Sequence, residues 1–124
     1  MTRLAFVEPP YGLGPIVDFD LEPVADAAGL YALTGGTIRL FLLDAARHLP
    51  AYRPIIAEAD LADLADLGDA VGVTVYVVVN PAEGAWSVNL AAPVLVGAGG
   101  RARQVILDRG DWPVRTPLAA ALAA

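Results

Sequence analysis

The 124-residue chain contains no cysteine and no lysine, and its histidine and serine occur once each, as His48 and Ser87. Without thiols there is no disulfide scaffold, no thiolate zinc site and no cysteine nucleophile. A lone imidazole has no second histidine beside which to hold a metal, and in Ala46-Arg47-His48-Leu49-Pro50 it reads as a loop residue with local hydrogen bonds. A Ser-His-Asp triad would have to use Ser87. Period-two alternation in Trp86-Ser87-Val88-Asn89-Leu90 puts that hydroxyl outward on a strand, away from any strained elbow.

Positive charge is scarce as well. Eight arginines stand against fourteen acids, for a net charge of −6 and a pI near 4.4. Direct nucleic-acid binding needs a basic surface and is not expected. No apolar run is long: residues 70–79 form the longest, ten residues broken by Gly72 and Thr74, where a spanning helix needs about twenty. Glu8, Pro9 and Pro10 interrupt the start before an apolar signal-peptide core can form. The expectation is a cytoplasmic protein with no membrane segment.

The remaining polar groups suggest no catalytic set, metal or cofactor. Asp18, Asp20 and Glu22 share one face of an alternating strand; a common solvated face does not split carboxylate pKa values into acid and base roles. Leucines interrupt Asp60, Asp63, Asp66 and Asp69, which excludes an oxygen-rich calcium loop. Gly97-Ala98-Gly99-Gly100-Arg101 has neither the glycine-lysine step of a P-loop nor the dinucleotide-binding spacing, and reads as a hairpin turn. Arg101, Arg103, Arg109 and Arg115 leave one rival open, an anionic small molecule bound by the C-terminal half, although Asp108 and Asp111 lie among them.

What the chain has in quantity is hydrophobicity. With 56% apolar residues and mean hydropathy of +0.55, it is expected to fold as a single domain over residues 1–124. Charge is uneven. Residues 1–70 carry eleven acids and four arginines, a balance of −7, and residues 71–124 carry three acids and four arginines, a balance of +1. The acidic half is either a solubilising surface or one that steers a basic partner.

The patterning is that of strands. Val17, Phe19 and Leu21 alternate with acids, as in a half-buried antiparallel strand, while residues 37–43 and 71–79 are apolar on both faces. Residues 73–79, the turn cluster at 80–84, residues 86–96, the glycine turn at 97–100 and residues 102–107 describe a meander. Pro93 predicts an edge, bulge or break within it. Asp60 as N-cap, Leu61, Leu64 and Leu67 as an apolar stripe, and Gly68 beyond them predict one helix. The tail from Leu118 to Ala124 is too short for an isolated helix. The expected fold is mainly β, an antiparallel β-barrel-like domain with one short helix near 60–67.

Three stretches carry a family resemblance. They are Val88-Asn89-Leu90-Ala91-Ala92-Pro93-Val94-Leu95-Val96, Arg103-Gln104-Val105-Ile106-Leu107 and Trp112-Pro113-Val114-Arg115-Thr116-Pro117-Leu118. In order and spacing they resemble the FliW family of flagellar assembly factors. Weaker echoes are Gly12-Leu13, Asp18-Phe19-Asp20-Leu21, and Leu40-Phe41-Leu42-Leu43-Asp44 followed by Pro50-Ala51-Tyr52. Gly14-Pro15, Leu33-Thr34-Gly35, Ala45, Gly97 and Trp112 depart from the family pattern.

The resemblance implies a β-rich, barrel-like cytoplasmic factor without catalysis. Its implied partners are flagellin and the RNA-binding translational repressor CsrA, whose action on flagellin mRNA it relieves. The partner-binding positions implied are Asn89, Pro93, Gln104, Trp112 and Arg115. For the amides and prolines a purely structural role is the competing reading. For Arg115 an arginine–aromatic pairing with Trp112 favours recognition. A third class, an oligomerising module, would expose Trp86 and Trp112 on one apolar patch.

Overall fold

A computed structural model describes residues 2–57, 59, 73–81, 85–97, 99–107 and 110–123. The strands are β1 (Thr2–Phe6), β2 (Asp18–Pro23), β3 (Leu30–Gly35), β4 (Ile38–Asp44), β5 (Thr74–Asn80), β6 (Ser87–Val96), β7 (Arg101–Gln104) and β8 (Thr116–Pro117). Among the described residues two short helices accompany them, α1 (Ala45–His48) and α2 (Leu118–Ala123). The predicted helix over 60–67 lies outside the described residues. None of the described helices is long and apolar enough to cross a membrane.

Seven strands close into a barrel in the order β5-β4-β3-β2-β1-β7-β6, with β6 pairing back onto β5. The mainly β, barrel-like class stands, with one qualification. Six seams are antiparallel, but β1 and β7 run parallel, with Ala5 opposite Arg101 and Phe6 opposite Ala102. Closure removes the open edges that an eight-strand sheet would otherwise present. β8 lies outside the ring against the first half of β6, because β7 occupies only the second half.

Period two decides the interior. Leu4, Phe6, Phe19, Leu21, Leu33 and Leu42 are buried within the ring, and the Phe6 and Phe19 rings meet edge to face at 5.3 Å. Asp18 and Glu22 are exposed on the other face of β2, and Asp20 pairs with Arg3 at 2.8 Å. That matches the expected alternation. Gly35 is required by this packing, since a Cβ there would fall 2.6 Å from the Phe19 ring and 2.9 Å from the Asp18 carbonyl oxygen.

A second core lies outside the ring. Leu43, Val77, Val79, Val88 and Leu90 point away from the barrel interior and are covered by Ala45 and Leu49 around α1 and by Ala121 of α2. Asp44 caps α1 by accepting from the Ala46 and Arg47 amides at 3.1 and 3.4 Å. His48 ends that helix and is not in the loop expected of it, and its Nε2 lies 2.6 Å from the carbonyl oxygen of Ala28, 20 positions earlier in the chain. Packing supplies what six residues of α2 lack as an isolated helix.

The outer core also reverses one expectation. Ser87 is buried, not outward, because the apolar positions Val88 and Leu90 turn towards the outer layer. The alternation was legible, but the side that faces a core was not.

Gly35→Ala is expected to destabilise the fold by about 1–3 kcal/mol through overpacking against Phe19, measured by urea denaturation. Leu122→Ala, at an exposed position, is expected to stay within about 0.5 kcal/mol of the parent.

Candidate functional site

The predicted disturbance at Pro93 is a bulge. β5 and β6 pair Val78 with Asn89, and then Tyr76 with Val94, so β6 advances five positions while β5 advances two. The three surplus residues are an odd number, and they invert the side-chain phase. Before the bulge the apolar residues of β6 face the outer core; after it Val94 and Val96 face the barrel interior.

The detached backbone is satisfied almost group by group. Asn89 Oδ1 accepts from the Ala91 and Ala92 amides at 3.0 and 3.2 Å. Gln104 Nε2 donates to the Ala92 carbonyl at 3.1 Å, while its Oε1 accepts from the Tyr11 amide at 3.0 Å. The Tyr52 hydroxyl donates to the Leu90 carbonyl at 2.6 Å, and the Leu90 amide donates to the Pro113 carbonyl at 3.1 Å. The Pro93 carbonyl accepts from the Val105 amide at 3.0 Å, and Pro93 has no N–H with which to return that bond.

Three of the five sequence-selected residues, Asn89, Pro93 and Gln104, therefore meet at one bulge. Trp112 lies on its outer side, with its ring 4.8 Å from and nearly perpendicular to that of Tyr52. Arg115 is elsewhere. It lines a separate groove with Trp86 and Ser87, the Trp86 ring lies 6.3 Å from that of Phe41, and the Arg39 guanidinium lies 5.1 Å from the Phe41 ring. The expected pairing of Arg115 with Trp112 is replaced by a shared groove with Trp86. Of the described C-terminal arginines, Arg103 bonds to Glu8 at 2.6 Å.

Above the bulge the barrel opens into a mouth of about 410 Å³. Leu13, Leu40, Val78 and Ala92 form its apolar walls. Tyr11, Ile106 and Val114 stand on its rim, 58%, 63% and 66% exposed. Its polar groups are Asn80, Asn89 and Gln104, and these are all the asparagine and glutamine the sequence contains. No charged side chain lines it among the described residues. Asn80, Tyr11 and Tyr52 join the site although no sequence motif marks them as site residues. The scarcity of carboxamides was the available signal, since only the fold shows that they converge.

Burial pushes the Tyr52 phenol well above its usual range. Tyr76, beneath the mouth, is pushed up to about 12 by burial first and then by Tyr31 and Asp44. A phenol that ionises later in the native state than in the unfolded chain stabilises the fold fully below its ordinary pKa of 10.0. That contribution is lost as pH rises towards the native value, because the unfolded chain then binds fewer protons. Stability is therefore expected to fall between pH 10 and about 12, and the double variant Tyr52→Phe/Tyr76→Phe is expected to flatten that decline in urea titrations. Asn89→Ala strips two amides of their acceptor and is expected to cost about 1–3 kcal/mol. Asn89→Asp keeps the acceptor and is expected to recover most of that loss.

No curated protein sequence matches the chain. A solved structure described as the crystal structure of the flagellar assembly factor FliW superposes with a TM-score of 0.80 at 20% identity, covering 94% of this chain and 84% of that one. It shares the fold. The family model described as FliW protein matches residues 2–118, which span β1 to the first residue of α2 and include the bulge and its mouth. On that match, the chain belongs to the FliW family.

Proposed function

We propose that this protein is a non-catalytic, cytoplasmic regulator of flagellum assembly, acting as a single domain that binds flagellin and a CsrA-type translational repressor. Binding the repressor withdraws it from flagellin mRNA, and binding flagellin ties that release to the demand for filament subunits. Whichever partner is held more tightly at its free concentration displaces the equilibrium of the other. Asn89, Pro93, Gln104, Trp112 and Arg115 are the residues assigned to partner contact, the first four around the bulge and Arg115 in the groove beside Trp86.

The observation that carries this reading is a family match running the length of the barrel, over residues 2–118. The charge distribution supports it. A repressor that holds RNA phosphates is basic, and Asp18 and Glu22 present exposed carboxylates on the outer face of β2.

Calorimetric titration of the purified chain with flagellin and with a CsrA-type repressor tests the proposal. Binding to each at micromolar concentration or below is expected, with the repressor's association rate falling as salt rises. Failure to bind either protein would defeat it.

A further inference from the structure

Two asparagines and one glutamine are the entire carboxamide content of the chain, and all three line the barrel mouth. Two of them have a fixed orientation. Only an amide oxygen can accept from a backbone N–H, so the bonds from Ala91 and Ala92 assign Oδ1 of Asn89, and the bond from Tyr11 assigns Oε1 of Gln104. The NH2 group of Asn89 has no acceptor among the described residues, and that of Gln104 uses one hydrogen on Ala92. The mouth thus keeps spare donors and no charge, set in apolar walls beneath a rim of exposed Tyr11, Ile106 and Val114.

We infer that the mouth is a docking site for an uncharged aliphatic segment of a partner protein, whose free backbone carbonyls accept from Asn89 and Gln104 while its side chains fill the apolar walls. Complementarity decides the class. A cationic segment would meet donors and no counter-charge, and a hydrocarbon alone would leave the donors unpaired. An aliphatic peptide satisfies both surfaces, and the volume lies within the usual range for ligand pockets. Exposed apolar residues gathered on one rim point the same way. The inference rests on the reading that the chain acts through partner proteins, and it names the chemistry that one of them brings.

The test is a nitrogen-15 NMR titration of the full chain, whose carboxamides give only three side-chain NH2 signal pairs. The probes are the blocked peptides acetyl-Leu-Ala-Leu-amide and acetyl-Ala-Ala-Ala-amide. The leucine peptide is expected to shift the Asn89 and Gln104 pairs and the trialanine peptide to leave them in place. Asn89→Asp, which keeps the bulge but replaces the donor with a carboxylate, is expected to weaken leucine-peptide binding at least tenfold. Val114→Glu on the exposed rim is expected to act in the same direction.

Unmoved NH2 signals, an equal response to trialanine, or undiminished binding by both variants would overturn the inference. Peptide binding by a chain that takes up neither flagellin nor repressor counts against the regulatory reading alone. Partner binding by a chain whose mouth ignores the leucine peptide counts against the mouth alone.

Discussion

The three-residue surplus in β6 is the constraint on which the rest of the molecule depends. A regular strand commits each side chain to a face by parity, and one strand can then serve only one core. By inserting an odd number of residues after Asn89, β6 gives Val88 and Leu90 to the outer layer and Val94 and Val96 to the barrel interior. The outer layer, with α1, α2, Tyr52 and Trp112, packs on Val88 and Leu90 together with Leu43 of β4 and Val77 and Val79 of β5. The mouth is its counterpart on the other side, where the strand leaves β5.

A bulge exposes backbone groups that a ladder would have paired, and unpaired buried amides and carbonyls are costly. Asn89, Gln104 and Tyr52 meet that requirement with side-chain bonds. Asn89, with its oxygen on the Ala91 and Ala92 amides, keeps an NH2 group without an acceptor among the described residues, and Gln104 spends its oxygen on Tyr11 and one N–H on Ala92. Structural and recognition roles of these residues are therefore two ends of the same group, not competing explanations. A planar amide held at its oxygen is an oriented donor at its nitrogen.

Among the described residues, no charged side chain lines the mouth. The ion pairs Arg3–Asp20 and Arg103–Glu8 each include a largely exposed partner, where screening leaves such pairs little stabilising effect. The contrast between an acidic exterior on β2 and an uncharged mouth gives one small barrel two surfaces of different chemistry.

Period-two alternation alone made β2 legible, and the turn clusters after Asn80 and at Gly97 to Gly100 made the β5-β6-β7 meander legible, because these signals are local. Pro93 announced a disturbance through its missing N–H. The sequence by itself determined the strand-rich class, the hairpins and the residue types available for chemistry, since backbone preference and hydrophobic period act over a few neighbouring positions. Tertiary structure alone decided the parallel seam of β1 with β7, the burial of Ser87, the placing of Arg115 beside Trp86, and the convergence of Asn80, Asn89 and Gln104. Each of these joins positions far apart in the chain, and their proximity is set by barrel closure and by the parity of one bulge.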